Sequence, residues 1–173
     1  SMWELYRPSV DLRAAYEPND KRRAGSIMEH GWTMPDWKPQ KLPQANGSYT
    51  PDDQAYNDFM KNGFRYDTIQ DVKKGGSLNG TRSTIAKYVV GPGQKYGGEQ
   101  VIGMNTGINF MLLRYADILL IYAEATLGDA ASTSDATALD AFNKVRLRAG
   151  LPIKSVLTLN DIMKERRVEF AFE

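Results

Sequence analysis

The chain has 173 residues, enough for one domain with a single sizeable core. Its 42% hydrophobic and 25% charged residues are ordinary globular values and exclude wholesale disorder. With 22 Lys plus Arg against 21 Asp plus Glu the net charge is +1, which supplies no bulk field for nucleic acid or an anionic membrane; the lack of cysteine excludes disulfides, thiolate metal sites and a cysteine nucleophile.

In chain order, Pro8-Ser9-Val10-Asp11-Leu12 predicts a short helix with Ser9 as its N-cap and Asp11 in the favourable first turn. It ends before Pro18, because a residue preceding proline is pushed out of the helical region. Glu17-Pro18-Asn19-Asp20 is turn chemistry, Lys21-Arg22-Arg23 follows, and residues 24–29 read as a short strand. Residues 31–53 have no helical or alternating period and are punctuated by Pro35, Pro39, Pro43 and Pro51. Loops of that length are usually functional or disordered. Trp32, Trp37 and Tyr49 disfavour plain disorder, because rings on a loop need a core or a ligand to pack on. Residues 64–69 and 84–90 are β-rich runs separated by Lys73-Lys74-Gly75-Gly76 and Asn79-Gly80, which predicts a small hairpin-like element.

Residues 109–128, NFMLLRYADILLIYAEATLG, form the longest periodic apolar run. Arg114, Asp117 and Glu124 fall in one narrow stripe, with Arg114 and Asp117 close enough to pair. The rest of the circumference is apolar, which predicts a central helix buried on several sides. Twenty residues span about 30 Å, also the thickness of a bilayer core. Three charges and two tyrosines inside the run argue against a membrane span.

A second helix carries Ala138, Phe142, Val145 and Ala149 on one face, with Ser134 or Thr133 as its cap and Gly150 and Pro152 as its terminators. Thr158 and Asp161 make a capping-box-like start to a third, whose apolar face opens with Leu159, Ile162, Met163 and Phe170. That helix stops at Glu173 with no closing glycine, asparagine or proline, which points to a piece of a longer protein. The fold class is mostly α: tetratricopeptide-like helical pairs with a small β element and a long irregular loop.

Chemistry-bearing residues read mainly as structure. Arg114 and Asp117 are expected as a buried Arg–Asp pair, or in capping contacts between helix layers, rather than as an active site. Lys164-Glu165-Arg166-Arg167 with Glu169 forms a solvated or inter-helix salt-bridge face, and Arg146 and Arg148, on the polar side of their helix, are expected to pair with such acids. His30 is the only histidine, so a His-based metal site or a Ser–His–Asp relay lacks partners. Asp52-Asp53 and the Asp67/Asp71 pair are formal glycosidase candidates, but loop acids of this kind are mostly turn formers. The aromatic residues are different. Trp32 and Trp37, with Tyr49, Gln44 and Asn46 nearby, combine rings that stack on sugar C–H faces with amides that bind hydroxyls. The alternative is that both tryptophans anchor the loop to the core.

LLRYADILLIYAEA, ALDAFNKVRLRAGLP and LTLNDIMKERRVEFAFE resemble, in order, three successive signatures of the SusD/RagB family of outer-membrane lipoproteins. Upstream, PSVDLRAAYEPNDKRR resembles that family's helix and Asp-Arg element, and Ala86-Lys87-Tyr88 its strand. Residues 31–83 carry no family motif. The resemblance implies the C-terminal part of such a protein over 1–173: a mixed, loop-rich ligand-binding region at 3–108 and a helical repeat region at 109–173. It implies a non-enzymatic surface protein of glycan-foraging Gram-negative bacteria. Such a protein captures oligosaccharide for import through a SusC-like TonB-dependent transporter and needs no cofactor. Peptide cargo, or a helical protein–protein interaction module without glycan binding, is the alternative. The family's N-terminal helix repeats and lipidated cysteine are not in this sequence, so a lipid anchor is expected only on a full-length parent. A chain missing helix layers is also expected to expose apolar faces and self-associate.

Overall fold

A computed structural model describes residues 7–29, 31–34, 61–66, 83–89, 95–96, 99–100, 109 and 111–173. The chain divides into two compact units: Ser1–Ile27 with Met111–Glu173, and Met28–Phe110. The second unit is therefore inserted between the two stretches of the first. The protein is mostly α, as its sequence predicts.

The first unit opens with α1, Val10–Ala15, where the Ser9 Oγ accepts from the Leu12 N–H at 3.0 Å. α2 covers Lys21–Ser26, of which residues 24–26 read from sequence as the start of a strand. The reason is Asp20, whose carboxylate accepts from the Arg22 N–H at 3.0 Å and so caps a helix that propensity alone would not propose. Only Ile27–Glu29 is strand, β1.

α3 is Tyr115–Leu127. It starts six residues later than the apolar run, because Arg114 is extended (φ −120°, ψ 152°) and its guanidinium reaches sideways to Glu169 and Glu173. Burial on several sides is also not observed. Ala116, Leu120, Ala123 and Leu127 form one buried face, while Tyr115 is 70% exposed and Ile118, Ile121 and Tyr122 are exposed beside it. Arg114 and Asp117 do not pair with each other. Each meets the last helix instead, Arg114 at Glu169 (2.9 Å) and Asp117 at Arg166 (2.8 Å).

α4, Ala136–Ala149, buries the expected Ala138, Phe142, Val145 and Ala149. Its cap is Asp135 rather than Thr133 or Ser134; Asp135 Oδ1 accepts from the N–H groups of Thr137 and Ala138, both at 2.9 Å. A carboxylate offers the helix N-terminus both an acceptor and a compensating charge. Thr133 is used elsewhere, in a backbone bridge to Leu157. Gly150 closes the helix at φ 79°, a left-handed conformation that suits glycine. α5, Leu159–Glu169, has the capping box of Thr158 and Asp161 in full. Its inner face is Ile162, Glu165, Val168 and Glu169, whereas Leu159 and Met163 are exposed. Apolar spacing misplaces this face because two of its four buried side chains are acids.

Phe142, Leu120, Leu157, Ile162 and Val145 are the fully buried centre of the first unit. Burying a side chain of this size contributes about 1.5–3 kcal/mol. A second cluster joins Tyr16, Ile27, Val168 and Ala171, with the Tyr16 hydroxyl donating to the Val168 carbonyl at 3.3 Å. Among the described residues, no helix is long and apolar enough to cross a membrane.

In the second unit, β2 (Thr33–Met34) runs antiparallel to β3 (Phe64–Arg65), with Thr33 opposite Arg65 and Met34 opposite Phe64. β4 (Ser83–Ile85) pairs with β1. β5 (Lys95–Tyr96) and β6 (Glu99–Gln100) form a small antiparallel pair inside the glycine-rich 91–98 region and just beyond it. Among the described residues, the two β-rich runs therefore do not pair with each other. Each takes a partner from 27–34, upstream, so local turn signals do not decide the pairing.

Candidate ligand-binding surface

The described part of the aromatic segment is built on the β2–β3 ladder. Gly31, at φ 86°, turns the chain out of β1, and its N–H donates to the Tyr66 carbonyl at 2.9 Å. The Trp32 N–H donates to the Glu29 carbonyl at 2.9 Å, and the Tyr66 N–H donates back to the Trp32 carbonyl at 2.8 Å. Trp32 and Tyr66 thus extend the ladder by one step and are held by backbone on both sides. The Trp32 side chain is half-buried and packs on buried Met28 and Tyr66, with Met34 and Ala86 alongside. The anchoring expected of Trp32 as the alternative to ligand binding is thus present in this packing.

Of the five residues singled out by composition, Trp32 alone is described; Trp37, Gln44, Asn46 and Tyr49 lie outside the described residues. Tyr66 is the partner that sequence reasoning missed. It sits in a β-rich run, but contact with Trp32 depends on a strand pairing 32 residues apart that no local spacing announces.

The first unit holds a different kind of site. A cleft of about 450 Å³ opens between α1, the turn after it, the end of α4 and α5, lined by Asp11, Ala14, Glu17, Arg146, Lys154 and Asp161 among others. At its base the Arg146 side chain is only 3% exposed, so this arginine is an interior residue rather than part of a solvated face. Its Nε donates to the Pro152 carbonyl at 2.8 Å and its terminal nitrogens donate to both Glu17 oxygens (2.7 and 3.0 Å) and to Glu165 (3.0 Å). The hydrogen bond from Arg146 is the main reason the Glu17 carboxyl titrates below its ordinary value. Lys154 holds Asp161 at 2.6 Å. The cleft's charges pair across its walls and no ring among the described residues lines it, which is the composition of a structural seam more than of a sugar platform.

Beside it runs a denser network. Glu169, buried to 1% side-chain exposure, accepts from Arg22 (3.1 Å), Arg114 (2.9 Å) and Arg148, while Glu165 accepts from Arg22 at 2.7 Å. Asp20 grips the same Arg22 guanidinium at 2.7 Å. Burial opposes the charge on Arg22, but the hydrogen bonds and fields of Asp20 and Glu165 outweigh it and raise its pKa. The acids of the last helix are thus an inter-helix lock, one of the two readings their spacing allowed. Among the described residues no group of His, Cys, Asp or Glu is arranged to hold a metal ion.

The first unit is thus a helical scaffold locked by ion pairs, and the second holds Trp32 packed on Met28 and Tyr66. The sequence matches the SusD family over residues 6–173, and the chain belongs to that family, whose members are binding proteins and not enzymes. A SusD-like protein of Bacteroides ovatus is 44% identical over 172 residues, covering 99% of this chain and 26% of its own length. A solved structure with bound xylogluco-oligosaccharide is 34% identical with a TM-score of 0.69, over 97% of this chain and 28% of that one. Another solved structure is 34% identical with a TM-score of 0.68, covering 98% of this chain and 28% of its own. The chain thus spans only between 26% and 28% of the length of these relatives.

Proposed function

We propose that this chain is part of a cell-surface protein that captures oligosaccharide and passes it to a SusC-like TonB-dependent transporter in the outer membrane. The observation that carries the reading is the likeness to a SusD-type structure bound to xylogluco-oligosaccharide, at 34% identity and a TM-score of 0.69. The half-buried Trp32, packed on Met28 and Tyr66, supports it, because a ring already held by its neighbours loses little entropy when a sugar stacks on it. Capture resides in the loop-rich 3–108 region, with Trp37, Tyr49, Gln44 and Asn46 completing the surface, and 109–173 serves as scaffold. No covalent step occurs: the ligand is held by stacking and by hydrogen bonds to its hydroxyls, then released. The exposed face of α3 around Tyr115 and Tyr122 further supports self-association of the 173-residue chain.

Native gels cast with xyloglucan and a panel of other polysaccharides test this. The protein should be retarded by at least one glycan without shortening it, and Trp32→Ala with Trp37→Ala should abolish the retardation. Release of reducing ends that tracks the protein would overturn the binding-only reading. Retention of a protein or peptide partner by both tryptophan variants, with no glycan retarding the parent, would favour the interaction module or peptide cargo.

A further inference from the structure

The inserted unit has two roots in the first unit: the chain enters it past Ile27 and leaves it before Met111. Five residues ahead of the entry stands Arg22, on α2; three residues after the exit stands Arg114, the N-cap of α3. These two residues are 92 apart in sequence, yet both end on one carboxylate. Arg22 donates to Glu169 Oε2 at 3.1 Å, and Arg114 donates to Glu169 Oε1 at 2.9 Å and to the Glu169 carbonyl at 3.0 Å. We propose that Glu169 is a double clasp, a positioning residue that holds the entering and leaving segments together and so couples their order.

The geometry separates this role from ordinary helix cementing. Each oxygen serves a different root, so neither arginine replaces the other. Arg114 is extended, not helical, and the residues before it, 111–113, are exposed; the grip on Glu169 and Glu173 is what fixes the chain as it returns. Glu165, one turn earlier on α5, touches Arg22 and Arg146 but not Arg114, so it provides a built-in contrast. Arg148 also donates to Glu169, but it is 58% exposed and belongs to neither root. A charge pair whose partner is removed while buried is strongly destabilising, so loss of Glu169 should be felt by both arginines at once.

Hydrogen exchange on the 173-residue chain, followed by mass spectrometry, tests the clasp and does not depend on any ligand. Glu169→Gln should raise exchange at least several-fold both in α2 and in residues 111–118, while the interior of α4 keeps its protection. Of the two roots, Glu165→Gln should raise it in α2 and not in residues 111–118, and Arg148→Ala in neither. Equal loss of protection across the whole first unit in Glu169→Gln, or loss at one root only, would overturn the proposal. If Glu169→Gln does not fold, the paired variants Arg22→Lys and Arg114→Lys decide. The clasp predicts that loosening either arginine loosens the other root as well; strictly local effects in both would overturn it.

Discussion

Gly150 shows how much one residue can carry. It ends α4 at φ 79°, and a Cβ placed on it would lie 2.9 Å from Lys21 Cε and 3.3 Å from Lys21 Cδ. The lysine tip can swing away at little cost, so the backbone conformation dominates the penalty. Gly150→Ala should cost about 1–2 kcal/mol in urea unfolding, the usual cost of a left-handed conformation for a residue with a Cβ. Gly150→Asn should lose less, because asparagine tolerates that region. Adding Lys21→Ala should recover little of the alanine penalty; large recovery would mean that steric contact, not φ, was the cause. Phe170 is another such position. Arg114 and Arg166 lie over its ring at 4.8 and 5.5 Å, so the ring is a platform for two cations that are also held by acids.

At the scale of elements, the helices are held at their ends by polar side chains and along their faces by two unlike surfaces. α3 and α4 meet through small and aliphatic residues, Ala116, Leu120 and Ala123 against Ala138, Phe142 and Val145. α5 faces α2 through the carboxylates of Glu165 and Glu169, which hold Arg22, and faces α1 through Arg167, which pairs with Asp11, so that side is specified by arginine geometry. The capping box at α5 closes the N-terminus of the helix that carries these carboxylates. Thr158 Oγ1 accepts from the Asp161 N–H at 3.2 Å and Asp161 Oδ2 accepts from the Thr158 N–H at 3.0 Å. Thr158→Ala should therefore destabilise the protein by about 1 kcal/mol. Thermal unfolding measures this, and Thr158→Ser should be close to neutral; equal losses for both would show that the hydroxyl is not what matters.

For the whole molecule, acid is the condition that these ion pairs make decisive. Burial of Glu169 works to raise its pKa, but hydrogen bonds from Arg148, Arg114 and Arg22 outweigh that and hold it below the ordinary 4.5. Asp161 and Glu17 are lowered as well, Asp161 by Lys154 and Thr158 against its own burial, Glu17 by Arg146 first. A carboxyl with a depressed folded pKa contributes its stability in full above the unfolded value and loses it as pH falls through the folded one. The melting temperature should therefore hold from neutral pH down to about 5 and drop steeply below about 4.5. Glu169→Gln should start lower and fall less; a variant with the parent's full acid-induced drop would exclude Glu169 as a main contributor. Glu17, half-exposed, contributes little because solvent screens its pair.

Sequence pattern alone predicts the helices of the second half, their caps at Thr158 and Gly150 and the buried stripe of α4. These rest on neighbours within about one turn, where side-chain spacing and backbone hydrogen bonding are set locally. The family is legible instead from several motifs that resemble its signatures in order. The sequence also supplied Trp32 as a candidate, because ring type and loop context are local facts. Only the tertiary structure decided that Arg114 and Asp117 part company, that Arg146 is interior, and that the β-rich runs take upstream partners. Each of those depends on residues dozens of positions apart, and an arginine with several acids in reach carries no local mark of which it will choose. The same physics explains α5: its inner face is acidic because arginines from three other segments converge on it, and hydrophobic periodicity cannot register a face built from charge.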